Sequence, residues 1–165
     1  MNYIEKTLSD NEKIVKIFKF NKLMFILPIA MMILAAILLF IGIILIIQGE
    51  GNSNIAGLVM SIFGGVLMFS GLKTYLELKT TNMGVTNKRV VFKKGIFSVM
   101  TDEIRLDAVE TVEVKQPVIQ RMFGFGTVVV TGRGESSMVF EGIDNPLEVK
   151  KTIASALNNY SERES

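Results

Sequence analysis

The sequence predicts a membrane α-helical hairpin followed by a small, mainly β domain that a C-terminal α-helix closes. Three observations carry this. Leu23–Ile47 runs for 25 residues without a charge, and Ile55–Leu72 is a second uncharged run of 18. From Lys73 onward the chain changes to short apolar–polar alternations separated by turn residues. It ends on apolar residues at helical spacing. The expected division is 1–22 as an N-terminal segment, 23–72 as the hairpin (23–47 and 55–72), and 73–165 as the β domain.

At about 1.5 Å per residue, the two runs reach roughly 37 and 27 Å, against a hydrocarbon core of about 30 Å. In lipid every backbone N–H and C=O must be paired within the segment, so both runs are expected to be helices. The first run is too long for the apolar core of a signal peptide, and no Ala-x-Ala site follows it. Lys13, Lys16, Lys19 and Lys22 precede the first run, and Lys73 and Lys79 follow the second. The linker between them has Glu50 but no Lys or Arg. An excess of positive charge on the inner side then predicts a multi-pass protein of the cytoplasmic membrane with both termini in the cytoplasm. No charged residue lies in either run, so no proton relay or ion path is visible. Gly57, Ser61 and Gly65 are small residues four apart, a spacing that lets helix backbones approach closely. They are expected to pack against the first helix through Ala35 and Gly42. A face for a second subunit is the other reading.

Before the hairpin, Asn2–Phe20 mixes Ile14, Val15, Ile17 and Phe18 with Lys6, Lys13, Lys16 and Lys19. Two readings stay open here: an amphipathic stretch lying on anionic lipid, or a strand or arm that docks on the C-terminal domain.

Composition narrows the function. The chain has 165 residues, 49% of them hydrophobic, no Cys, no His and a net charge of +2. Without His it lacks the commonest general acid/base and metal ligand, and without Cys it has no thiol chemistry. So small a charge gives no nucleic-acid footprint. No catalytic, cofactor or metal residues are expected.

In the β domain, Tyr75–Thr80 alternates with Leu76 and Leu78 on one face and reads as a strand. Arg89–Phe92 is β-rich and stops at Lys93-Lys94-Gly95, with Ile96–Thr101 as the returning strand. Val112 and Val114 mark a half-buried strand that Pro117 ends. Thr127–Thr131 and Ser136–Phe140 flank a turn at Gly132–Glu135. Gly124-Phe125-Gly126 is expected to supply backbone freedom at a bend or bulge. Asn145, Pro146 and Glu148 form a capping-box-like helix start, and Val149, Ile153, Ala156, Leu157 and Tyr160 follow at helical spacing.

The ordered set Val85-Thr86-Asn87-Lys88-Arg89-Val90, Lys94-Gly95, Glu103-Ile104-Arg105-Leu106, Gln116, Arg121-x-x-Gly124-x-Gly126-x-Val128 and Asn145-Pro146 resembles the bacterial pleckstrin-homology-like domain of the YdbS-like, membrane-flanked family. The resemblance covers nearly the whole chain. It implies that a short segment and a transmembrane hairpin precede a PH-like split barrel capped by a C-terminal helix. It also implies a non-enzymatic binding or scaffolding module at the inner leaflet of a bacterial membrane. Membrane lipids, and a protein partner or a second copy, are the expected contacts. The alternative is a structural subunit assembled through the hairpin. Lys88, Arg89, Lys93 and Lys94 form the densest basic cluster. In many PH domains such a first hairpin meets anionic headgroups. The competing readings are a charged edge that blocks strand addition, and an Arg89 that pairs with an acid such as Glu103.

Overall fold

The computed structural model describes residues 3–49, 51–95, 99–134 and 137–164. They form two compact units, residues 22–79 and residues 1–21 with 80–165.

The first unit opens on a 3-10 turn, Lys22–Phe25, and continues into helix α2, Ile26–Gln48, and helix α3, Asn52–Thr80. The turn between them uses Gly51 at φ +64°, a conformation that glycine adopts without steric cost. The buried residues of α2 are Pro28, Ala35 and Gly42, and those of α3 are Gly57, Gly64 and Gly71. Both sets repeat every seven residues, two helical turns, so each makes a continuous seam. The seams meet in antiparallel order. A Cβ placed on Gly57 would lie 2.7 Å from the Gly42 carbonyl oxygen. On Gly64 or Gly71 it would lie 3.1 Å from the carbonyl of Ala35 or Pro28. Ser61 also faces the seam and donates to the Gly57 carbonyl at 2.8 Å. Gly65 does not belong there, since a side chain at that position meets open space. The large apolar side chains point outward; Leu27, Phe40, Ile47 and Phe69 are all about two-thirds exposed or more.

The expected strand at Tyr75–Thr80 is instead the last part of α3. Two alternating leucines are a weak strand signal. Continuing an existing helix adds one hydrogen bond per residue without a new nucleus. Lys73 pairs with Glu77 at 3.9 Å, one turn on. Tyr75 meets the Phe25 ring edge-on at 5.7 Å, and the Lys79 ammonium sits 5.9 Å from the Tyr75 ring centre. Lys73 therefore marks the end of the apolar run but not the end of the helix.

The second unit is a split barrel. A short helix α1, Tyr3–Lys6, leads to strand β1, Ile14–Phe18. After the hairpin come β2, Asn82–Thr86, β3, Arg89–Lys94, and β4, Met100–Arg105. These four strands form one antiparallel sheet in the order β1-β2-β3-β4. Strands β5, Val109–Lys115, β6, Phe125–Gly132, and β7, Ser137–Asp144, form the other, with helix α4, Val118–Met122, between β5 and β6. Helix α5, Pro146–Glu164, closes the barrel. Along β6 every second residue is buried, the mark of a strand with one face on the core. Val85, Val90 and Ile104 of one sheet meet Val128, Val130, Met138 and Phe140 of the other, under Val149, Ile153 and Ala156 of α5. Phe92 and Phe140 join the sheets edge to face at 5.5 Å.

Of the two readings left open for the N-terminal segment, the strand holds: it is the barrel's own first strand, and the hairpin is inserted between it and the next strand. Phe18 pairs with Met83 and Ile17 with Gly84, which makes β1 and β2 neighbours with the whole hairpin as their connection. The returning strand is described over Met100–Arg105 and so runs on past the expected end at Thr101; Ile96, Phe97 and Ser98 of the expected strand lie outside the described residues. The Gly132–Glu135 turn and the strand start at Ser136 likewise fall partly outside them, at Glu135 and Ser136.

The helix start also differs in detail. Asn145 adopts φ +48°, its backbone N–H reaches the Gly124 carbonyl, and its side-chain amide donates to Glu148 at 3.3 Å. The Glu148 carboxylate pairs with Lys16 of β1, so it serves the sheet as well as the cap. Gly124 has φ +73°, and a Cβ on Gly126 would come within 2.9 Å of Pro146, which accounts for the two glycines.

Candidate functional site

The barrel has two ends with different chemistry, and strand direction assigns the candidate residues to them. β1 stops at Phe18 and β2 starts at Asn82, where the chain leaves for the hairpin and returns. Asn82 pairs with Lys93, so Lys93 and Lys94 lie at this hairpin end. Lys88 and Arg89 lie at the far end, beside Thr86. Five strand steps of about 3.3 Å separate Arg89 from Lys94 by roughly 17 Å. The four cations are therefore not one cluster: closeness in sequence becomes separation along an extended strand.

At the far end, Thr86-Asn87-Lys88-Arg89 holds the N-terminal arm. The fully buried Thr86 hydroxyl accepts from the backbone N–H groups of Lys88 and Arg89 at 3.2 and 3.0 Å, which shapes the turn. The Asn87 side chain accepts from the Lys13 N–H at 2.7 Å and donates to the Asn11 carbonyl at 3.1 Å. The Asn87 backbone N–H reaches the Lys13 carbonyl at 3.0 Å. Lys88 donates its ammonium to the Asp10 carbonyl at 2.7 Å.

Arg89 is the centre of this network. It grips Glu12 through Nε at 2.9 Å and Nη2 at 3.1 Å, donates to the Thr7 carbonyl at 2.5 Å, and pairs with Glu103. A planar guanidinium suits this two-pronged contact, which a lysine cannot copy. The Glu12 side chain is only 1% exposed and that of Arg89 18%. Burial pushes the Glu12 carboxyl up, but the Ser9 N–H and Arg89, with Thr86, outweigh it and hold it below its ordinary value. Burial likewise pulls Arg89 down, and its bonds to Glu12 and Glu103 more than reverse this.

Beside this pair lies an open cleft of about 560 Å³, walled by Ser9, Asn11, Asn87, Lys88, Arg105 and Tyr160. Its wall also includes Glu12, whose carboxylate accepts from the Ser9 N–H at 2.8 Å and is held by Arg89, beside cations, amides and the Ser9 and Tyr160 hydroxyls. Among the described residues no three His, Cys, Asp or Glu side chains gather as metal ligands. The pairing of Arg89 with Glu103 follows from their residue types. Glu12 was not singled out in the sequence; it lies 77 positions from Arg89, and only its place after the Ser9-Asp10-Asn11 turn sets it apart.

At the hairpin end, Lys94 is exposed and Lys93 half-buried. Of the expected helix-packing face, Gly57 and Ser61 lie in the α2–α3 seam and Gly65 lies outside it.

A family model described as "Bacterial PH domain" matches residues 16–162, from within β1, through the hairpin, to the end of the C-terminal helix. No curated protein and no solved structure matches the chain.

Proposed function

The chain belongs to the bacterial PH domain family, and we propose that it is a non-catalytic binding or scaffolding module that its hairpin anchors in the cytoplasmic membrane, with the barrel and both termini on the cytoplasmic side. The observation that carries this reading is the insertion of two long apolar helices between neighbouring strands β1 and β2. The helices are long and apolar enough to cross a membrane, and only 11% and 17% of their most apolar stretches are buried. A core helix of a soluble protein would be mostly buried. The lysines before and after the hairpin favour the inside orientation. Held at a surface, even weak contacts act at high effective concentration.

Lys93 and Lys94, at the hairpin end of the barrel, are the proposed contacts for anionic headgroups. Lys88 and Arg89 are committed to the arm. In the alternative, a subunit assembled through the hairpin, Gly57 and Ser61 are used within the chain, and of the three residues of that face Gly65 still points outward. The test is to extract the full chain in native lipid nanodiscs and identify what accompanies it by mass spectrometry. Enrichment of an anionic lipid, lost in a Lys93→Ala/Lys94→Ala chain, supports the module. A stoichiometric second protein that disappears in a Gly65→Leu chain supports the subunit.

A further inference from the structure

We propose that α4 and the residue after it form an apolar knuckle that inserts into the headgroup–acyl boundary of the membrane, and so docks the barrel on the leaflet. This rests on the reading of the hairpin as a membrane anchor. Val118, Ile119, Met122 and Phe123 are 76, 68, 77 and 54% exposed. Such a run of large apolar side chains on the surface of a barrel with a complete core marks an interaction face. The knuckle is a built feature. Pro117 starts it, and its carbonyl accepts the Arg121 N–H at 2.9 Å. Gly124 ends it at φ +73°. The Gln116 side chain donates across its base to the Phe125 carbonyl at 3.0 Å. None of the four side chains belongs to the barrel core.

Its position names the occupant. The knuckle joins the end of β5 to the start of β6, and Phe125 pairs with Asp144 at the end of β7. The same strand end holds the departing chain: the Asn21 N–H bonds the Gly142 carbonyl at 2.9 Å. The Asn21 side chain donates to Asp144 at 2.7 Å and to the Phe123 carbonyl at 3.4 Å. Asn21 is the last barrel residue before the hairpin. The knuckle thus sits one hydrogen bond from the tether that leads into the apolar helix. Charge agrees with a lipid surface. Arg121 is exposed on the knuckle itself and Lys19 is exposed two residues before Asn21, cations of the kind that meet lipid phosphates. Of the nearby carboxylates, Glu148 is paired with Lys16, and Asp144 accepts from the Asn21 amide, which leaves one negative charge among these cations. A mixed apolar and basic face beside a membrane tether is what interfacial insertion requires.

The chain has no cysteine, so single probes can be placed without background. Ile119→Cys, Phe40→Cys in the hairpin and Val139→Cys on the outer face of β7 would each carry a bimane label. The full chain would be placed in nanodiscs of phosphatidylcholine and phosphatidylglycerol containing spin-labelled lipid. The expected result is at least twofold quenching at positions 40 and 119 and none at 139. Quenching at 40, with 119 indistinguishable from 139, overturns the knuckle while the anchor stands. No quenching at 40 overturns the anchor and the knuckle with it. A disulfide between two copies of unlabelled Ile119→Cys, formed while the labelled chain stays unquenched, assigns the face to a second copy and also overturns the proposal.

Discussion

The hairpin buries Gly42, Gly57, Gly64 and Gly71 and turns Ile47, Phe40 and Phe69 outward, whereas the barrel buries Phe140, Ile143 and Ile153 and turns Lys, Glu and Asp outward. The same chain therefore follows two opposite burial rules. In water, large apolar groups move inward because hiding them is the main driving force of folding. In lipid that force between helices vanishes, and close backbone contact over small residues replaces it. On the proposed reading each region is built for a different solvent, and the contrast can be tested region by region.

The largest effect is expected in the barrel. Phe140→Ala removes a fully buried ring that joins both sheets and should cost about 3–5 kcal/mol in chemical unfolding of the barrel, leaving hairpin helicity unchanged. Next is Arg89→Ala, which strands the buried Glu12 carboxylate and should cost on the order of 3 kcal/mol. Limited proteolysis should then cut at residues 7–13, and Arg89→Lys should rescue only part of the loss. In the hairpin the rule inverts, so adding bulk is what harms. Gly64→Leu should cost about 1–3 kcal/mol through the clash with Ala35, while Gly65→Leu on the open face should be silent in thermal unfolding in micelles.

A smaller effect concerns pH. The Glu12 carboxyl is held below its ordinary value of 4.5, so its ionised form favours the folded arm. That stability is fully present above pH 4.5 and is lost as pH falls through the lowered value. Protease sensitivity of the arm should therefore rise on acidification below that pH, and Glu12→Gln should flatten the response. The smallest effect belongs to Lys93→Ala and Lys94→Ala. Each should weaken the preference of the barrel face for anionic over zwitterionic headgroups by about 1 kcal/mol, read as lower anionic-lipid enrichment in native nanodiscs, without changing the unfolding midpoint.

These two regions also differ in how legible they were. The hairpin is plain in the sequence because two long uncharged runs have few other destinations. Its far end is not plain, since Lys73 ends the apolar run while the helix continues on its own hydrogen bonds to Thr80. Most barrel strands follow from alternation and turn residues. β1 does not: Ile14–Phe18 is five residues with a lysine at its centre, and only its pairing with β2 across the hairpin makes it a strand. The site was least legible. Lys88, Arg89, Lys93 and Lys94 form a cluster in sequence, but an extended strand pulls them to opposite ends. The acid that fixes Arg89 lies on the other side of the hairpin in sequence. Contacts at such separation leave no local pattern.

Insertion of a membrane hairpin into a cytoplasmic barrel is tested most directly by labelling intact spheroplasts with a membrane-impermeant maleimide. Ser53→Cys, in the first turn of α3 next to the link between the helices, should react from outside. Ser161→Cys, in the C-terminal helix, should react only after permeabilisation. Protection of position 53, or reaction of position 161 in intact cells, would contradict it.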